Sequence, residues 1–367
     1  MIRTHLPAFI SLLSEITIVM LSIYLPLRAY QLGANSFVVG LIGGSASLVY
    51  MFAPFFMGRL SDRIGPKKLV SIATIAISIL CFVYAMIGSP LLFIPLRIVE
   101  GVAWAMIWAP LEALYSLTGK DTFSSLKVFN MAWGIGAMAA PILGVLIGHV
   151  IDIIFASSVA MLLSFFFSLS MKNITVHQMQ EVSKDNTSNN FRNVIMLLAF
   201  AVAYGATTTT ITTFYPKYAS VSRLNSVEWG IIISSLLGGR LAAFITSSSI
   251  RKRIGIRRIQ IIFSVAACSF PLASIIAPSA SYLLGAVSLI TGLSLGFVYS
   301  VTLYAMLTGS VRNRGMSAGL FESSLGLGSF IGPALAGVVA VGGLWLTMTI
   351  PILFLLAGIV PSIPNRT

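Results

Sequence analysis

About twelve stretches of this chain are each apolar over roughly 20 residues, the length a helix needs to cross the hydrocarbon core of a bilayer. They run near 6–27, 36–57, 68–88, 91–115, 125–149 and 150–171, then near 193–214, 227–249, 257–277, 281–307, 315–340 and 342–361. In lipid every backbone N–H and C=O must be bonded within the protein, so stretches of this kind fold as helices. Only 9% of the 367 residues are charged and 57% are hydrophobic. A soluble domain carries roughly 25% charged residues to face water, so this composition excludes an ordinary water-borne globule. The first stretch is long enough to span and lacks a clear small-residue cleavage site, so it reads as a retained helix rather than a leader.

Basic residues orient the spans. If both termini are cytoplasmic, 18 of the 23 Lys and Arg residues lie in inner segments, three (Arg28, Lys217, Arg223) lie outside, and Arg97 and Arg240 lie within spans. Retained positive charge marks the cytoplasmic side, so a multi-pass protein of the cell membrane with both ends inside is expected. The long polar segment between spans 6 and 7 divides the chain into a first half (1–171), a cytoplasmic linker (172–192) and a second half (193–367).

The halves repeat one another. At an offset of 190 residues, Asn35-Ser-Phe-Val-Val-Gly40 falls on Asn225-Ser-Val-Glu-Trp-Gly230, Pro26 on Pro216, and Arg63-Ile-Gly-Pro-Lys67 on Arg253-Ile-Gly-Ile-Arg257. At 192, Gly134, Gly136 and Pro141 fall on Gly326, Gly328 and Pro333. Halves duplicated about an axis along the membrane normal are a transporter architecture, with the substrate near the midplane where they meet. The expected fold is therefore an all-α membrane protein of about 12 transmembrane helices in two pseudo-symmetric six-helix bundles.

Three segments carry a family resemblance. Gly58-Arg-Leu-Ser-Asp-Arg-Ile-Gly-Pro-Lys-Lys68 between spans 2 and 3, Arg97-Ile-Val-Glu-Gly101 in span 4 and Gly134-Ile-Gly-Ala-Met-Ala-Ala-Pro-Ile-Leu-Gly144 in span 5 stand in order. The chain resembles the major facilitator superfamily over its whole length. That resemblance implies a gating loop in which Asp62 and Arg63 latch the inner gate, Gly58 and Gly65 permit tight backbone passage, and Lys67 and Lys68 anchor orientation. Two departures stand out: Lys252 replaces the acid matching Asp62, and Ala140 stands where the antiporter element usually has glycine.

Acids within the membrane are the sharpest pointers to chemistry. Glu15 lies in span 1, Glu100 and Glu112 in span 4, and Glu322 in span 11. An ionised carboxylate at mid-depth costs about 2.5–3.5 kcal/mol on insertion scales, so it faces a cavity or a partner. A carboxyl taken out of water also holds its proton more readily, which suits proton coupling. Glu100 follows Arg97 by three residues on one helical face, and the two can simply neutralise each other. Glu112 lies toward the inner interface, within reach of lysines. Glu15 has no basic residue within a helical turn, and Glu322 opens a run of small residues that lets helices approach closely. Arg240 has no acid in its own helix; it can pair across helices, bind an anion or snorkel to water. Trp104 and Trp108, one turn apart, can form an aromatic wall for an apolar or cationic ligand or can merely pack. The Thr207–Thr213 run can line a polar cavity or satisfy its own helix. Asn130 in span 5 completes the candidates for proton coupling or substrate binding.

Other chemistries find no footing. Cys81 and Cys268 sit within apolar runs, and His5, His149 and His177 are scattered without metal spacing. There is no phosphate-binding loop of the Walker kind. Neither a catalytic residue, a cofactor, a metal nor a nucleic-acid partner is expected. The expected function is a monomeric secondary transporter, surrounded by lipid and working by alternating access, that exports amphipathic or cationic small molecules in exchange for protons, as a multidrug antiporter does. A proton-coupled importer of a sugar or organic acid is the alternative within transport, and a non-transporting sensor of the same fold is the alternative outside it.

Overall fold

The computed structural model describes residues 2–118, 122–171, 191–309 and 314–362. Among these, eleven helical stretches are long and apolar enough to cross a membrane, and the shorter apolar helix Ser36–Tyr50 makes a twelfth span. The first half comprises α1 (Ile2–Gln31), α2 (Ser36–Tyr50), α3 (Ala53–Ile64), α4 (Pro66–Met86), α5 (Phe93–Thr118), α6 (Thr122–Ile147) and α7 (Val150–Leu169). The second comprises α8 (Phe191–Val221), α9 (Ser226–Ile254), α10 (Ile256–Ala267), α11 (Ser269–Ile276), α12 (Ser281–Gly309), α13 (Arg314–Val339) and α14 (Thr349–Ile359).

Two spans expected to be continuous are broken, each near a proline. In span 9, Pro271 cannot donate to the carbonyl of Ala267. Thr291 of α12 fills the gap: its hydroxyl donates to that carbonyl (3.3 Å) and accepts from the Phe270 N–H (3.1 Å). In span 2 the break falls at Met51–Phe52, just before Pro54. The carbonyl of Met51, within the break, accepts from the Ser323 hydroxyl of α13 at 2.6 Å, so this break is bonded across to the other half.

The repeat read in the sequence reappears in the backbone hydrogen bonds of the turns between helices. α1 ends in a turn where Ala34 N–H donates to Ala29 C=O (2.9 Å), and α8 ends with Leu224 N–H on Ala219 C=O (3.0 Å). This 6→1 bond closes a helix through a residue of positive φ, here Gly33 (φ 83°) and Arg223 (φ 70°). Asn35 and Asn225 then cap the following helices, each side chain accepting an N–H three residues on. Gly65 and Gly255 make the α3–α4 and α9–α10 turns at φ 91° and 86°.

Packing is duplicated as well. In the first half α1 packs on α6 and α7, α2 on α5, and α4 on α5 and α7; in the second, α8 packs on α13 and α14, α9 on α12, and α10 on α12 and α14. Two matching seams join the halves, α2 against α13 and α6 against α9. Glycines set how close these helices come. A methyl on Gly136 would strike the Leu12 carbonyl, and one on Gly328 would strike the Val202 carbonyl, 190 residues from Leu12. At the seams, Gly134 faces Leu241 and Gly326 faces Met51, again an equivalent pair. Without a hydrophobic drive between helices in lipid, such close approach supplies the packing energy.

Candidate functional site

A cavity of about 230 Å³ lies between the halves, walled by α1, α2 and α5 on one side and by α8 and α13 on the other. Arg97, Glu100, Trp104 and Trp108 line it from α5, Tyr50 from α2, Tyr204 and Thr209 from α8, and Glu322 from α13. Five of the sequence candidates are thus brought to one place: Arg97, Glu100, Trp104, Trp108 and Glu322.

The Arg97–Glu100 pair is one turn of α5 closed on itself, with Nη1 and Oε1 2.5 Å apart and the Glu100 side chain fully buried. The Trp104 indole N–H donates to the same oxygen (2.8 Å), and the Tyr84 hydroxyl of α4 donates to the other (2.7 Å). Arg97 Nε reaches the Ile42 carbonyl of α2 at 3.4 Å. Every oxygen of the carboxylate has a donor, which is what a buried charge requires. Trp104 therefore belongs to this cluster through its indole N–H as well as to the cavity wall.

Glu15 and Arg240 find each other across the seam. Arg240 Nη2 lies 3.5 Å from Glu15 Oε1, joining α9 of the second half to α1 of the first. Arg240 Nη1 donates to the Tyr204 hydroxyl at 3.2 Å, and its guanidinium lies over the Trp133 ring, 4.9 Å from the centroid. Arg240 is 8% exposed and Glu15 9%. Of the three routes open to Arg240 in the sequence, the structure takes the cross-helix pair. Its Nε has no partner among the described residues. The aromatic surround continues through Phe244 on Trp133 (5.1 Å), Tyr299 on Phe244 (5.5 Å) and Tyr204 on Tyr299 (5.0 Å).

Glu322 differs from the other two acids. It faces the cavity, Tyr50 hydrogen-bonds to it, and among the described residues no cation pairs with it.

The remaining candidates sit apart from the cavity lining. Asn130 is exposed and accepts from the Trp133 indole at 3.1 Å. Arg63 and Lys68 are exposed at the α3–α4 turn, Lys67 is half-buried, and Gly65 supplies the turn itself. The surroundings of Gly58 and the side chains of Asp62 and Glu112 lie outside what the structure describes. The threonine run is divided. Thr208 and Thr212 return their hydroxyls to the carbonyls of Tyr204 and Thr208, Thr209 lines the cavity, and Thr207, Thr210 and Thr213 are buried with hydroxyls that find no partner among the described residues.

Three tyrosines, Tyr50, Tyr84 and Tyr204, escaped the sequence reading although each touches a candidate. Their signal was present: a phenol needs a hydrogen-bond partner when buried in an apolar span. Among the described residues no group of three His, Cys, Asp or Glu could hold a metal ion.

Comparison with known proteins agrees with this geometry. The family model described as Major Facilitator Superfamily matches residues 8–333. The chain is 24% identical over 358 residues to the Staphylopine export protein of Staphylococcus aureus, an alignment covering 89% of this chain and 87% of that one. The crystal structure of the nucleoside transporter NupG superposes with a TM-score of 0.80 at 17% identity, covering 99% of this chain and 98% of that one. That of the human organic anion transporter MFSD10 gives 0.70 at 14% identity, covering 98% and 97%. A bacterial homologue of the human lysosomal transporter Spinster, crystallised inward-facing and unoccupied, gives 0.73 at 14%, covering 98% and 95%.

Proposed function

The chain belongs to the Major Facilitator Superfamily and is a secondary transporter of small molecules rather than an enzyme, and we propose that it exports a small amphipathic cation in exchange for protons. The observation that carries this reading is Glu322, a carboxyl in the cavity between the halves with no cation beside it among the described residues. The two guanidiniums buried among the described residues, Arg97 and Arg240, are already engaged by carboxylates, so the charge left for a ligand there is negative. Trp104, Trp108, Tyr50 and Tyr204 supply aromatic faces near it, which attract cations.

The cycle follows from that one carboxyl. With no cation bound, Glu322 holds a proton, because an isolated charge in a dry site is costly. An arriving cation replaces the proton at the same carboxyl, which makes binding of the two mutually exclusive. Exclusive binding at a site exposed alternately to each side is exchange. Export, rather than import, is supported by the likeness to the staphylococcal export protein and by the glycine-and-proline element of α6. The first half is assigned to 1–171, the second to 193–367, with the linker 172–192 and both termini in the cytoplasm, as the 18-to-3 distribution of basic residues favours. Asp62 and Arg63 are assigned to the inner gate. One chain contributes both walls of the cavity, so a monomer suffices.

Purified protein in a lightly buffered solution, titrated with tetraphenylphosphonium, tests this. The expected result is proton release on binding, abolished in Glu322→Gln together with at least a tenfold loss of affinity, about 1.4 kcal/mol. Tetraphenylphosphonium binding without proton release overturns exchange at Glu322. Binding of organic anions in its place overturns the substrate class and restores the importer reading.

A further inference from the structure

Tyr204 stands between two features that the proposed function treats separately. Its side chain lines the cavity into which Glu322 projects, and its hydroxyl accepts from Arg240, the cation of the pair that crosses between the halves (3.2 Å). Glu15 is the carboxylate that Arg240 pairs with, and Glu322 lines the same cavity as Tyr204. A phenol can accept and donate at once. Here the accepting side is taken by Arg240, while among the described residues the phenolic proton has no acceptor. Its position is held by its neighbours. The Tyr299 ring packs on it at 5.0 Å, and at the next residue, Gly205, α8 and α13 come so close that a methyl would strike the Leu325 carbonyl.

We propose that Tyr204 is the positioning residue that couples the cavity carboxyl to the ion pair joining the two halves. A charged, ligand-free Glu322 offers the phenolic O–H an acceptor. Donating to it while still accepting from Arg240 polarises the phenol, so the two hydrogen bonds strengthen each other and Arg240 is held in place against Glu15. A cation or a proton on Glu322 withdraws that acceptor. The phenol then loses that bond, its hold on Arg240 slackens, and the pair can open. Whether the seam is fastened thus depends on what occupies the cavity. This is what an exchanger needs, since the halves should rock when the site is loaded by either ligand and not when it is empty and charged. The Arg97–Glu100 cluster cannot serve this purpose, because both of its charged groups lie on α5 of a single half.

The inference gives Glu322 the part it has in the proposed function, but its test needs no ligand. Thermal unfolding midpoints are measured for the full-length protein, Glu15→Gln, Glu322→Gln and the double variant, first with Tyr204 present and then with Tyr204→Phe throughout. With the phenol present, the midpoint shifts should depart from additivity by about 2 °C, as coupled residues do. In the Tyr204→Phe series they should add. A purely structural role for Tyr204 would lower all four midpoints alike and leave the non-additivity intact, which overturns the proposal. Additivity with Tyr204 present overturns it equally. Should Glu322→Gln not fold, Glu322→Met, uncharged and of similar volume, closes the same cycle. The outcome is independent of the tetraphenylphosphonium titration: failure there removes the cation-exchange reading alone, and failure here removes the coupling alone.

Discussion

In the first half the buried arginine, Arg97, finds its carboxylate three residues along its own helix; in the second, Arg240 must cross to α1 of the other half to find one. The two pairs differ in every respect that governs strength. Arg97–Glu100 is short, and Tyr84 and Trp104 fill the carboxylate's other positions. Glu15–Arg240 is 3.5 Å long, with Arg240 Nε unpartnered and an aromatic ring beneath the guanidinium. Yet the two halves that contain them match in backbone, down to the caps at Asn35 and Asn225 that open α2 and α9, although Arg97 on α5 and Arg240 on α9 stand on helices that are not equivalent. The duplicated part of the molecule is its scaffold, and the part that has diverged is its interior charge. A rocking carrier needs this arrangement: each half must stay rigid, which a satisfied internal pair favours, while the contact between halves must be able to open.

The largest effect should come from breaking the pair internal to one half. Glu100→Ala leaves Arg97 buried and uncompensated, and breaking such a pair costs about 3–5 kcal/mol. Thermal unfolding of the purified protein should show the greatest loss of any single variant discussed here. Replacing both partners, as Arg97→Met with Glu100→Leu, should recover most of it, because an apolar pair avoids the desolvation penalty. A double variant as unstable as Glu100→Ala would mean that the Tyr84 and Trp104 hydrogen bonds, rather than the charge balance, hold this cluster together.

Next in size are the matched glycines. Gly65 and Gly255 share φ near 90° and ψ near 145°, a region essentially closed to side chains, and among the described residues no atom beyond their own chain neighbours and helix backbone lies within 4 Å of where a Cβ would sit. Alanine at each should therefore cost the same, about 1–3 kcal/mol, from backbone strain alone. Equal losses sharpen the comparison by showing the scaffold to be energetically as well as geometrically repeated. Unequal losses break it, and would point to an added role for the signature loop around Gly65.

Glu15→Gln should cost less than Glu100→Ala, about 1–2 kcal/mol, since Arg240 keeps Tyr204 and Trp133. Its functional effect should be the larger one. In vesicles, counterflow of tetraphenylphosphonium should persist while the dependence of uptake on a proton gradient changes. A stability loss matching that of Glu100→Ala would show the inter-half pair to be a structural fixture and not an opening contact.

What could be read without coordinates follows the range of each interaction. Helical spans, the repeat and the Arg97–Glu100 pair are set within a few residues, or by a constant offset, and all were legible. The breaks at Met51 and Cys268 were not placed, although Pro54 and Pro271 stood inside the expected spans, because a membrane proline can also be absorbed in a continuous helix. Pro141 and Pro333 are so absorbed in α6 and α13. Tertiary pairing was the least legible. Glu15 and Arg240 are 225 residues apart, and an unpaired charge in a span says that a partner exists without saying where. Tyr84 meets Glu100 and Tyr204 meets Arg240 only once α4 lies on α5 and α8 is turned to the seam.

The smallest predicted effect tests a turn at which the scaffold's copies carry different residues. The turns after α1 and α8 have the same three hydrogen bonds at equivalent positions, but the residue of positive φ is Gly33 in one and Arg223 in the other. A side chain in that conformation costs about 1–2 kcal/mol, while glycine costs about 0.5–1 kcal/mol through the freedom it has when unfolded. Arg223→Gly should therefore stabilise the protein by about 0.5 kcal/mol, and Gly33→Ala should destabilise it, two shifts of opposite sign read from the same unfolding curves. A loss of stability in Arg223→Gly would mean that the arginine side chain contributes more than its backbone strain removes. Arg223 would then be kept for a contact or for the charge at that end of the helix pair, and divergence would reach the scaffold as well as the interior.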